Sequence, residues 1–175
     1  MTILRVTQIG GSTVRTDPPW PTKEWLYPLL KASKSLNLIA SNIAAIDWIP
    51  IDQAASVISD IISSTPKSND LQVFNIVNPN PVLWQVLVEV QQQRFGPQAK
   101  VVPLQEWIRK MESDDAQKIA EPNLKAAVKL VSTLGDGRDE VKYATEQAVG
   151  ISKTMASIKP IDKIILEMWF DQWGL

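Results

Sequence analysis

Ile46-Asp-Trp-Ile-Pro-Ile-Asp-Gln-Ala-Ala-Ser-Val-Ile-Ser-Asp-Ile-Ile62 decides the fold, because it reads as an extended segment that passes directly into a helix. Pro50 has no N–H to donate and biases Ile49 toward extended geometry, while Asp52 can accept from the free N–H groups of the turn that follows. A helix is therefore expected from Asp52. Ala55, Ile58, Ile61 and Ile62 recur at three- and four-residue spacing and form its expected core face; Gln53, Ser56, Ser59, Asp60 and Ser63 lie mostly opposite.

Upstream, Thr2-Ile-Leu-Arg-Val-Thr-Gln-Ile9 is β-branched and apolar almost throughout, the composition of a strand buried on both faces of a parallel sheet. Gly10-Gly11-Ser12 ends it. A polar loop follows, and Lys23 to Leu36 is expected to be helical with Trp25, Leu29, Ala32 and Leu36 on one stripe. Downstream, Leu71 to Val77 reads as a second buried strand. The turn Asn78-Pro-Asn-Pro81 leads to a helix reaching about Phe95, with Val82, Val86 and Val90, or Leu83, Leu87 and Val90, inward. Lys100 to Pro103 reads as a short third strand and Leu104 to Met111 as a short helix carrying Trp107 and Ile108. Asp114 to Leu134 is expected to form two helices interrupted at Pro122, and Gly135 to Asp139 is the clearest loop of the second half. From Tyr143 onward the chain is expected to be helical in two or three pieces. The last runs from Pro160 to Trp173, with Ile161, Ile164, Ile165, Met168 and Trp169 on one face. Strands joined by helical crossovers, then helices alone, imply an α/β fold: a truncated Rossmann-like unit with a small parallel sheet of two or three strands and a helical C-terminal subdomain. One domain is expected, with 1–95 as its α/β part and 96–175 as a mainly helical cap.

Composition narrows the chemistry. In 175 residues there are seven Trp, no Cys and no His, and the net charge is −1. Thiolate nucleophiles, disulfides and the commonest general base and metal ligand are thereby removed. A near-neutral chain has no electrostatic reason to seek nucleic acid or an anionic membrane, and no apolar run approaches transmembrane length. Met1 is followed by strand-like sequence rather than a charged-then-apolar leader, so a cytoplasmic location is the expectation.

Leu4-Arg-Val-Thr-Gln-Ile-Gly-Gly11, Glu24-Trp25, Asp47-Trp-Ile-Pro-Ile-Asp52, Asn75-Ile-Val-Asn-Pro79 and Trp84 together resemble the C-terminal part of fungal thioester reductase domains. Those domains end adenylate-forming reductases and some polyketide and nonribosomal peptide synthetases, and belong to the extended short-chain dehydrogenase/reductase family. The resemblance is densest before residue 90 and implies the last strands of the sheet plus a small substrate-binding subdomain. The family's Gly-rich nucleotide loop and its Ser, Tyr and Lys catalytic residues would precede the region matched. The sequence carries no G-x-x-G-x-x-G or G-x-G-x-x-G after any strand, so no cofactor is expected to be bound. Thr7 stands where relatives carry a Gly in the strand that passes the nicotinamide, and its side chain would crowd that approach. Tyr27-Pro-Leu-Leu-Lys31 spells the family's Y-x-x-x-K spacing, but it falls in the substrate subdomain and Pro28 disrupts it; a Tyr and a Lys on a helix surface is the better reading.

The candidate catalytic residues are Asp47, Glu24 and Gln8. Asp47 would act as general acid or base beside an aromatic wall, or as a turn former; Asp52 is expected to be a helix cap. Glu24 would offer a carboxylate to the same pocket, or be an exposed first-turn residue. Gln8, Ser12 and Thr13 sit at the carboxyl end of a parallel-type strand, where open α/β sheets place ligands, or simply line a polar loop. Trp20, Trp25 and Trp48, with Ser12, are the candidate substrate-binding residues of an aromatic-lined pocket for a hydrophobic small molecule; core packing is the alternative, favoured for Trp84, Trp107 and Trp169. Asn78 is expected to be a turn residue.

Two functions follow from the resemblance and the residue inventory. One is a cofactor-independent cyclase or isomerase of specialised metabolism, pericyclic closure included, acting on a polyketide- or peptide-derived intermediate by proximity and a few hydrogen bonds. The other is a non-catalytic binding module that presents carrier-bound substrate to a separate reductase. The apolar edge of the Thr2 to Ile9 strand needs a cover, and the expected one is a second copy of the chain; a synthase or reductase partner, or the helical tail folding back over it, are the alternatives.

Overall fold

The computed structural model describes residues 1–64, 70–113, 122–134 and 142–175. In chain order come β1 (Thr2–Val6), β2 (Ile9–Gly10), α1 (Leu26–Leu36), β3 (Leu38–Ala40), β4 (Ile49–Pro50), α2 (Ile51–Ser64) and β5 (Gln72–Ile76). Then follow α3 (Gln85–Phe95), β6 (Lys100–Val102), α4 (Leu104–Met111), α5 (Leu124–Leu134), α6 (Glu146–Ile151), α7 (Lys153–Ser157) and α8 (Lys163–Trp173). The strands form three two-stranded parallel ladders, β1 with β5, β2 with β4 and β3 with β6. The α/β class and the small parallel sheet expected from the sequence are therefore present. The helix expected before Pro122 and the Gly135 to Asp139 loop lie outside the described residues.

The chain divides into two compact units. The first is built from Met1–Pro18, Ile46–Val82 and Val141–Ile161. Its core gathers Ile49, Ala54, Val57, Ile61, Phe74, Ile76, Ala148, Met155 and Ile158, all buried, with Leu4, Ile9 and Ile58 partly buried against them. Burying each large aliphatic side chain contributes roughly 1.5–3 kcal/mol. The inward face of α2 is thus Ala54, Val57 and Ile61, with Ile58 partly buried; of the expected Ala55, Ile58, Ile61 and Ile62, Ile61 is in the core, whereas Ala55 is exposed and Ile62 is 72% exposed. The physical reason is a doubled pattern. Ala54-Ala55, Val57-Ile58 and Ile61-Ile62 give two apolar stripes one residue, or 100°, apart. The choice between them falls to the Ile49–Pro50 ladder that runs straight into the helix.

The single strand expected over Thr2 to Ile9 is two. Through Val6 it pairs with β5, Leu4 opposite Phe74, and at Ile9 it pairs with Ile49 instead. It is also not buried on both faces, since Ile3 and Val6 are 36% and 39% exposed. Composition reports that a strand suits a sheet, but not how many layers cover it.

The second unit comprises Pro19–Ala45, Leu83–Glu140 and Asp162–Leu175. Asn37 ends α1 in the left-handed conformation, which Asn tolerates, and its carbonyl accepts from Lys100 N–H to begin the β3–β6 ladder. That ladder includes a strand, Leu38–Ala40, not expected from the sequence. Pro28 lies in the first turn of α1, where its missing N–H costs nothing, so it does not break the helix. Gln85, not Pro81, begins α3, and Leu87, Val88, Val90, Gln91 and Phe95 are its buried residues; Leu83 is 72% exposed. Asp162 caps α8, its carboxylate accepting from Ile165 N–H at 2.9 Å. Leu166, Met168, Trp169 and Phe170 are buried on α8, whereas Ile164 is 75% exposed. The indole N–H groups are paired: Trp107 with Ser33 Oγ, Trp84 with the Ala40 carbonyl and Trp173 with the Trp20 carbonyl.

The rotation of α2 yields a sharp contrast. Ile61→Ala is expected to destabilise the protein by about 2–5 kcal/mol and Ile62→Ala by less than about 0.5 kcal/mol in denaturant titrations. Equal losses would place both side chains in the core and contradict the assigned face.

Candidate functional site

The first unit places its polar residues where the strands end. β2 and β4 finish side by side at Gly10 and Pro50; the first continues into the loop through Asp17 and the second into α2. Thr13 reaches back to the first turn of α2. Its N–H donates to Asp52 Oδ1 at 2.9 Å and its hydroxyl to Asp52 Oδ2 at 2.5 Å. Asp52 therefore spends both carboxylate oxygens on the loop, which replaces the expected helix cap as its documented role. Ser12, 2% exposed, donates to Asp17 Oδ2 at 2.6 Å and accepts from Val14 N–H at 3.0 Å. The loop is thus folded on itself and clasped to a helix 39 residues further along.

Gln8 and Trp48 immediately precede β2 and β4. The Gln8 carbonyl accepts from Ile49 N–H at 3.1 Å, and the Gln8 side-chain amide donates to the Ile9 carbonyl at 2.8 Å. Trp48 is buried, at 4% exposure, and its carbonyl accepts from Asn78 Nδ2 at 3.2 Å. The same Nδ2 donates to the Lys159 carbonyl at 3.1 Å, while Asn78 Oδ1 accepts from Asn80 N–H and Asn78 N–H donates to the Asp47 carbonyl. Asn78 is therefore more than a turn former: it is a buried junction of three chain segments. Its neighbour Asn80 adds a bond to the Ile158 carbonyl at 2.8 Å. Asn78-Pro-Asn-Pro81 was the only sequence signal of this junction, and it reads equally well as an ordinary turn.

Trp20, Glu24 and Trp25 belong to the second unit. Trp20 is buried, its ring edge-on to Trp169 at 5.2 Å and tilted against Trp173 at 5.5 Å. Trp25 is half-buried and stacked on the buried Trp84, centroids 6.3 Å apart and planes 23° apart. Glu24 is exposed in the turn before α1, where its N–H donates to the Pro21 carbonyl. Tyr27 and Lys31 face one another on α1 with the ammonium 5.7 Å from the ring centre, a cation–π contact.

One further carboxylate was missed in the sequence. Asp60, on the polar side of α2, accepts from Ser152 Oγ at 2.8 Å and Thr154 N–H at 3.1 Å, while Ser152 Oγ accepts from Met155 N–H to cap α7. The Thr154 N–H, then the Ser152 hydroxyl, hold the Asp60 carboxyl below its ordinary range. Nothing local in the sequence links residues 60 and 152. Among the described residues no group of three or more His, Cys, Asp or Glu is placed to hold a metal, and no helix is long and apolar enough to cross a membrane.

No protein-family model matches the chain. An adenylate-forming reductase of Serpula lacrymans is 24% identical across 97% of the chain, and the non-reducing polyketide synthase dbaI of Emericella nidulans is 23% identical across 97%. The chain spans only 17% and 7% of those two relatives. Among solved structures, the terminal R domain from the myxalamid PKS-NRPS biosynthetic pathway superposes over 98% of the chain and 43% of that domain, with a TM-score of 0.75 and 23% identity. A thiolation-reductase di-domain from an archaeal non-ribosomal peptide synthetase superposes over 99% of the chain and 35% of that structure, with a TM-score of 0.69 and 19% identity. This chain has the fold of part of a thioester reductase domain.

The sequence lacks the Gly-rich loop, and Thr7 Oγ1 lies buried at the end of β1 with no hydrogen-bond partner among the described residues.

Two tests address the polar ties. Asn78→Ala removes three side-chain bonds and leaves buried carbonyls unpaired, for an expected loss of about 2–4 kcal/mol by denaturant unfolding; a loss under about 0.5 kcal/mol would make Asn78 an ordinary turn residue. Asp60→Ala is expected to lower the melting temperature at pH 7. Because the folded-state carboxyl is held below its unfolded value, its stabilisation is complete above the ordinary carboxylate range and is lost as pH falls through the depressed folded value. The gap between wild type and Asp60→Ala should therefore close on acidification; a gap independent of pH would exclude the charged clasp.

Proposed function

We propose that this chain binds the acyl portion of a carrier-borne polyketide or peptide intermediate, as the substrate-side part of a thioester reductase-like domain, and does not itself transfer hydride. The observation that carries the reading is the chain-long similarity to reductase domains in a sequence without a Gly-rich nucleotide loop. The relatives' names, reductase and polyketide synthase, supply the substrate class. The arrangement of polar groups at the strand ends supports binding over proton transfer. Asp52 and Asp17 are fixed by Thr13 and Ser12, and such preorganised loops shape a recognition surface.

The purified protein should bind N-acetylcysteamine thioesters of medium-chain acyl groups by calorimetry and leave them chemically unchanged by mass spectrometry, with or without NADPH. Conversion without nucleotide would instead establish the cyclase or isomerase that was the first expectation from the sequence. NADPH-dependent formation of aldehyde by this chain alone would overturn the proposal.

A further inference from the structure

We infer that Asp52 is a positioning residue for acyl binding: by holding Thr13 it sets the loop between Gly10 and Asp17 in the conformation that receives the thioester. The inference rests on the binding role proposed above and adds to it the element that makes the contact and the residue that shapes it.

Three observations converge on this loop. The first is its place. It leaves β2 at the carboxyl end of a parallel ladder, and open α/β sheets bind ligands in the crevice outside those ends. The second is the division between its base and its tip. Ser12 is 2% exposed and bonded to Asp17 and Val14, whereas Val14 is 45% exposed and Arg15 and Thr16 are exposed beside it. A rigid base presenting an accessible tip is how scaffolds carry binding loops. The third is the nature of the tie. Both oxygens of one carboxylate are used on one residue, Thr13, through its N–H and its hydroxyl. Charge-assisted pairs of this kind fix direction as well as distance. Asp52 also lies in the first turn of α2, where the positive end of the helix favours its charge.

The clasp is poorly placed to serve the core. None of the residues from Gly11 to Asp17 belongs to the hydrophobic cluster of the first unit. Holding the loop therefore does little for apolar burial and much for loop shape. Losing the clasp leaves the strands and the cluster in place, but the tip must then be ordered at the moment of binding, which weakens affinity.

Four proteins decide the matter: wild type, Asp52→Ala, Thr13→Val and Thr13→Ser. The probe is the N-acetylcysteamine thioester of octanoate, titrated by calorimetry, with melting temperatures measured in parallel. Asp52→Ala and Thr13→Val are expected to raise Kd roughly tenfold or more. Thr13→Ser, which keeps both the N–H and a hydroxyl, should bind as wild type does. Should Asp52→Ala fail to fold, the contrast between Thr13→Val and Thr13→Ser decides alone. Unchanged Kd in Thr13→Val and Asp52→Ala, with only a lower melting temperature, overturns the inference and leaves the binding role standing. Absence of binding by wild type overturns both.

Discussion

The backbone from Ile46 to Pro50 must be satisfied from two directions at once, and the first unit depends on that. On one side Ile49 donates to the Gln8 carbonyl and opens the β2–β4 ladder; on the other the Asp47 and Trp48 carbonyls accept from Asn78. Ile46 and Val82 close an antiparallel bridge beside them. A buried carbonyl without a partner costs on the order of 1–3 kcal/mol, so these five residues are tolerable inside only because the turn after β5 supplies donors. Asn78 does so with one side-chain nitrogen shared between Trp48 and Lys159. The helix α2 inherits its position and its rotation from this segment, and Asp52 inherits its place beside Thr13.

Short ladders explain why side-chain ties matter here. A two-residue ladder such as β2–β4 fixes direction but few backbone groups. The remaining order comes from side chains reaching carbonyls and amides far along the chain: Asn75 to Ala144, Asn80 to Ile158, Asp60 to Thr154. In the second unit Trp84, Trp107 and Trp173 take the same part, each combining a large ring with a single donor that finds an oxygen. Exposed ion pairs such as Arg94–Asp171 and Lys163–Glu89 add little to this, being solvent-screened.

What could be read from the sequence was mostly local. Pro50 before an apolar-periodic run marked the strand-to-helix passage; Pro103 before Leu104 marked α4; Asn and Pro after Val77 marked the turn. What could not be read depended on a choice between equivalent stripes or on partners distant in the chain. The doublets in α2 and the similar run Ile161 to Trp169 each permit more than one inward face, and packing selects among them. Leu38–Ala40 escaped notice because three residues carry almost no period. At the candidate site, Ser12, Thr13 and Asp52 each stood out singly, as a polar loop and a helix cap. Their pairing did not, because hydrogen bonds across 39 residues leave no trace in local spacing.

The same carboxylates can be read as catalysts or as fasteners, and geometry favours the second for those whose partners are documented. A general base must present a lone pair to the substrate proton, within hydrogen-bond reach of it. Asp52 directs an oxygen at each of two donors on Thr13, and Asp60 accepts from two donors on the 152–154 segment. Turning either toward a substrate would break a charge-assisted bond and release a loop or a helix cap. A fold shared with reductases does not fix a reaction, but it does fix where chain ends meet, and here they meet in ties that hold shape.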